Sequence, residues 1–161
     1  MPHPTTLLAV LALAAAGACA DHGPGSFGDD LTDPQVPPRG TEDILDWLEV
    51  GYYQAWTCEP ASHAGRAPSP HGPSRICNND ALHATTSGAF PVGAVAVKEL
   101  FEGTTVTSYA VARKVTAGDG GDRWYWYEGG PDKVFASSEG AGGCVSCHVQ
   151  AARDYVFTIV P

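Results

Sequence analysis

Two thiols and an imidazole lie together near the end of the chain, in Cys144-Val145-Ser146-Cys147-His148. Cysteines three positions apart fall on one helical turn, so both sulfurs can reach the same edge of a bound group. Three chemistries use such a pair. A zinc site needs two further ligands at similar spacing, and no second Cys-x-x-Cys is present. A thioredoxin-type redox pair sits near the start of a βαβ unit, whereas this one is close to the C-terminus. Covalent haem attachment also uses the third residue: each thiol bonds a vinyl group, and the histidine becomes the proximal iron ligand. The expectation is one covalently attached haem c, held by Cys144 and Cys147, with His148 on its iron. The rest of the chain must then build a pocket around that group.

A c-type haem is attached outside the cytoplasm, and the N-terminus fits export. Residues 7 to 18 are small and apolar and are followed by Cys19. This predicts a lipoprotein-type signal peptide over residues 1–18, cleaved so that Cys19 carries a lipid anchor. A Gly-, Pro- and Asp-rich stretch, residues 19–40, reads as a flexible tether, and residues 41–161 as one domain. The expected location is periplasmic and membrane-anchored. Net charge is −9, with nine Lys and Arg in 161 residues. That disfavours nucleic acid and suits a basic redox partner protein. Cys58 and Cys77 remain once the lipid and haem are accounted for. In an oxidising compartment they would pair, contributing about 3 kcal/mol. Free thiols, or a metal site with His63 or His71, are the alternatives.

The sole methionine is Met1, within the predicted signal. His/Met ligation of the iron is therefore excluded in the mature chain. The iron has either an open distal position or a second histidine from His63, His71 or His83; His22 lies in the tether. An open position is the reading favoured here, and it means gas binding or chemistry rather than simple electron transfer.

The elements that must position these groups follow from periodicity. Thr41 is expected to cap a helix with Glu42 and Asp43 in its first turn, running to about Trp56 and stopped by Glu59-Pro60. Arg75–Cys77 starts a strand, and residues 78–83 form a turn or short helix. Residues 94–101 read as a strand with Ala94, Ala96, Lys98 and Leu100 on one face and Val95, Val97, Glu99 and Phe101 on the other. The small neighbours leave room beside Lys98. A hairpin follows, from 104–115 to 123–128, then a haem helix from about Gly142 to Asp154 and a last strand over 155–160. The predicted fold class is α+β: mostly antiparallel β-sheet with a few packed helices.

The strand Phe90-Pro91-Val92-Gly93-Ala94-Val95-Ala96-Val97-Lys98-Glu99-Leu100, the aromatic strand Trp124–Tyr127, and the haem motif followed by Asp154-Tyr155-Val156-Phe157 occur in that order. In this the chain resembles the cytochrome P-460 family, including its cytochrome c-prime-beta relatives, over about Thr41 to Pro161. The resemblance implies a periplasmic, usually homodimeric β-sheet haem protein with His148 as proximal ligand. In the family's enzymes a lysine, matched by Lys98, is cross-linked to the porphyrin, and hydroxylamine is oxidised, with nitric oxide taken to nitrous oxide. The c-prime-beta relatives bind diatomic gases, nitric oxide especially, without that chemistry. Phe90, Trp124 or Trp126 would wall the pocket or simply pack the sheet. The enzymes use a distal carboxylate as proton acceptor on the strand after the lysine. Tyr109-Ala110-Val111-Ala112-Arg113 contains none, and Glu102, which shares parity with Lys98, is the substitute considered. Three functions stay open: oxidation of a small nitrogen compound, gas binding without turnover, and bis-histidine electron transfer.

Overall fold

A computed structural model describes residues 29–67 and 69–158. The expected signal peptide, Cys19 and His22 lie outside the described residues. Among the described residues, six strands form a single antiparallel sheet in sequence order. They are β1 (Thr57–Cys58), β2 (Ser74–Asn78), β3 (Val95–Glu102), β4 (Thr105–Lys114), β5 (Trp124–Gly129) and β6 (Val134–Glu139). Three helices accompany them: α1 (Thr41–Val50), α2 (Asp80–His83) and α3 (Gly142–His148). The α+β, largely antiparallel architecture is the one expected from the sequence.

The sheet has two differently used faces. On one, α1 lays Ile44, Trp47 and Leu48 against Val95, Val97, Val111, Tyr125 and Tyr127. Alternation along β3 and β5 sends these residues to one side, as the period of two requires. Glu99 is buried on this side; its carboxylate accepts from the Tyr53 hydroxyl at 2.8 Å and from Arg75 Nε at 2.6 Å. On the other face Ala94, Ala96, Ala112, Trp124 and Trp126 pack with Leu82, Phe90 and Val156. α3 docks there too. A Cβ at Gly121 would meet Val145 Cγ1 at 2.6 Å, so a residue without a side chain is what lets the helix approach.

Several boundaries differ from expectation. Helix α1 stops at Val50, not Trp56, because Gly51 adopts φ 82° and ends it; a 3-10 turn, Tyr52–Ala55, continues the chain. Thr41 is the first helical residue rather than the cap, and its hydroxyl donates to Ser137 Oγ instead. Residues 29–40 are not a loose tether. Trp47 Nε1 donates to the Asp33 carbonyl and Trp56 Nε1 to that of Pro34, while Arg113 Nη1 reaches Pro37 O at 2.6 Å. Buried indole and guanidinium N–H groups need acceptors, and this proline-rich segment supplies bare carbonyls. Strand β6 had no expectation. Helix α3 ends at His148, and residues 155–158 form no strand. No helix among the described residues is long and apolar enough to cross a membrane.

Candidate functional site

Sheet register builds the site. Ile76, Lys98, Ala110, Glu128 and Ala136 are successive cross-strand partners from β2 to β6. The neighbouring row is Asn78, Ala96, Ala112, Trp126 and Ser138. Directly opposed residues share a face. The two rows therefore place Lys98 and Glu128 on either side of Ala110, over a floor of alanine methyls. Above that floor is a cavity of about 760 Å³, within the range of small-molecule and cofactor sites.

The walls come from two other segments. Helix α3 contributes Cys144, Cys147 and His148. The loop between β1 and β2 contributes His63, Arg66 and His71. That loop is closed at its base by the Cys58–Cys77 disulfide, which pairs residues facing each other across β1 and β2. Buried Glu59 holds it further: its carboxylate accepts from Ile76 N at 2.8 Å, contacts His63 Nε2 at 3.0 Å and pairs with Arg66 Nη1 at 2.7 Å. Burial works against the Glu59 charge, but these partners outweigh it and hold the carboxyl below its usual range.

His148 is the most closely framed of the wall residues. Its Nδ1 lies 2.7 Å from the Tyr155 carbonyl, which can only accept, so Nδ1 carries the proton and Nε2 keeps its lone pair. Its ring packs on Trp126, centroids 4.5 Å apart, and on Phe157 at 5.4 Å. Burial pushes its pKa down to about 4, so the imidazole is neutral at pH 7, the form that binds metal. Cys144 and Cys147 are both free thiols. Burial pushes the Cys144 thiol up, and the Glu128 charge adds to this.

Charged groups line the same cavity. Burial lowers the pKa of Lys98 and favours its neutral amine, although Glu59 and Glu128 pull the other way. His71 Nδ1 lies 3.4 Å from Glu128 Oε1. That contact is the main reason the Glu128 carboxyl is held below its usual range.

The sequence-derived candidates separate clearly. Lys98, Cys144, Cys147, His148 and His71 line one cavity; Cys58 and Cys77 brace it from outside. Glu102 is exposed at the end of β3 beside the β3–β4 turn, past a register shift at Leu100/Phe101, and does not line the cavity. It cannot replace a distal carboxylate. The carboxylate that does line the cavity is Glu128, one strand further on in β5, where the sequence raised no expectation. His63 has both ring nitrogens engaged, with Ala64 O and Glu59, and His83 is exposed at the end of α2. Of the pocket aromatics considered, Trp126 lines the cavity, whereas Phe90 and Trp124 pack behind it.

The residues fit a haem. Two thiols and an available imidazole nitrogen line the cavity from one helix, and small alanine side chains leave room beside them. Among the described residues no group of three or more His, Cys, Asp or Glu is arranged to hold a metal by itself. A metal at His148 would take most of its ligands from the bound group.

No family model, curated protein or solved structure matches this chain.

Proposed function

We propose that the protein is a periplasmic mono-haem c-type cytochrome of the cytochrome P-460 kind, anchored through a lipid on Cys19, that oxidises a small nitrogen compound, hydroxylamine or nitric oxide. One observation carries the reading. The Cys144–Cys147–His148 wall and the Lys98–Glu128 pair face the same alanine-floored cavity. Cys144 and Cys147 would hold the haem, and His148 Nε2 its iron. A haem held by these residues would supply redox chemistry.

The chain's own groups do the rest. Glu128, ionised at neutral pH, accepts a proton from an N–H or O–H of the substrate. His71 orients Glu128 and passes the proton toward the exposed loop. Lys98, whose ammonium form burial disfavours, lines the cavity and is in place to be the cross-linked lysine that the resemblance implies. Electrons leave to an external redox partner protein.

A second reading, gas binding without turnover, shares the cavity and needs neither the cross-link nor Glu128. A bis-histidine electron carrier is favoured by one detail: His71 has Nδ1 on a carboxylate, the arrangement common in metal-ligating histidines. Three measurements on the matured protein separate the readings. Hydroxylamine-dependent reduction of an artificial acceptor, with Lys98 recovered covalently modified by mass spectrometry, supports the enzyme. Nitric oxide binding with Lys98 unmodified and no turnover supports the gas binder. A ferric iron ligated by two imidazoles in electron paramagnetic resonance defeats both open-site readings.

A further inference from the structure

The turn that follows α3 contains two non-glycine residues in left-handed backbone, Asp154 at φ 39° and Tyr155 at φ 63°. Such backbone is costly for residues with a Cβ and persists only where its surroundings impose it. Here the surroundings are explicit. Lys114 Nζ donates to both Asp154 oxygens, at 2.8 and 2.7 Å; Trp124 Nε1 donates to Oδ1 at 3.2 Å, and the Phe90 N–H to Oδ2 at 2.8 Å. The side chains of Lys114 and Asp154 are 0% and 1% exposed. None of these four residues lines the large cavity, so the cluster has no direct contact with whatever the cavity holds. It acts on the backbone: the next carbonyl, that of Tyr155, is the one that accepts from His148 Nδ1.

We propose that Asp154 is a positioning residue for the His148 imidazole. Its buried carboxylate, fixed by Lys114, Trp124 and the Phe90 amide, pins the left-handed turn so that the Tyr155 carbonyl holds His148 Nδ1–H and aims Nε2 into the cavity. The inference rests on the reading of His148 as the proximal iron ligand. A fixed acceptor on Nδ1 makes the imidazole more basic and sets its rotation, two properties that tune a metal bound at the other nitrogen.

The test uses haem-loaded full-length protein matured in a host that attaches c-type haem. The variants are Asp154→Asn in a Lys114→Met background, which removes the pair without stranding a buried charge, and Trp124→Phe, which removes the indole donor to Asp154 and trims the ring that packs on Phe90 and Trp126. The readouts are the iron–histidine stretching frequency of the ferrous protein by resonance Raman spectroscopy and the midpoint potential. The inference expects a lower frequency and a higher potential in the double variant, with a smaller shift of the same sign in Trp124→Phe. Wild-type frequency and potential in both variants overturn it. If the double variant does not accumulate, Trp124→Phe decides alone: an unchanged frequency overturns the inference. Wild-type protein that takes up no haem overturns the proposed function itself, and this is read before any variant is compared.

Discussion

Ala110 on β4 stands between Lys98 on β3 and Glu128 on β5, so an amine and a carboxylate flank a methyl group on the cavity floor. Two predictions belong to these side chains. Glu128→Gln keeps the shape and removes the proton acceptor; turnover of hydroxylamine should fall about 10²- to 10⁴-fold, with nitric oxide affinity largely kept. An equal loss of both would mean that Glu128 shapes the pocket rather than accepting a proton. Ala110→Leu fills the floor, with an overpacking cost of about 1–3 kcal/mol; covalent haem yield should drop while the apo-protein still folds, read by intact mass and thermal melting. At this scale the sequence was informative about Lys98, because alternation along a strand shows which neighbours share its face. It was silent about Glu128, whose relevance depends on β4 pairing with β5 in one particular register. Lys114 and Asp154 were equally hidden: a lysine ending one strand and an aspartate 40 residues later carry no local sign of meeting.

The loop between β1 and β2 is the element that decides how the cavity is closed. Its disulfide was legible from cysteine arithmetic, but its role as a wall was not, because proline-rich loops have no periodicity to read. Glu59 is its internal clamp, and the clamp should be acid-labile. Its carboxyl titrates below the ordinary value of 4.5 in the folded protein. The unfolded chain therefore binds more protons in the window between the two values. The Glu59 contribution is complete above about pH 4.5 and is lost as pH falls through the folded value. Glu59→Gln should cost about 1.5–3 kcal/mol at pH 7 and flatten the decline of stability below pH 4.5, measured by urea unfolding across pH. An unchanged acid slope would show that another carboxylate controls the loop. Helix α1 gives the complementary lesson. Its apolar stripe was readable, but its end was not, since Gly51 outweighed the aromatic pattern that continued past it.

Across the whole molecule the sheet separates two tasks. One face is filled by α1 and its aromatic neighbours and serves stability; the other is floored with alanines, and its space is left for a bound group. The antiparallel sheet and the two faces of β3 could be anticipated, from turn residues and from the alternation over residues 94–101. The docking of residues 29–40 could not, since it depends on indole and guanidinium donors from distant segments finding carbonyls there. The net charge of −9 fits a basic electron acceptor, whose encounter should weaken with salt. The proposed function depends on a haem in the cavity. The most direct measurement is the intact mass of the protein after expression with cytochrome c maturation machinery, followed by sequencing of the haem-bearing peptide. The account predicts one added haem, carried on Cys144 and Cys147 and lost in a Cys144→Ala/Cys147→Ala variant. A wild-type protein recovered at its apo mass, with both thiols free, would contradict it.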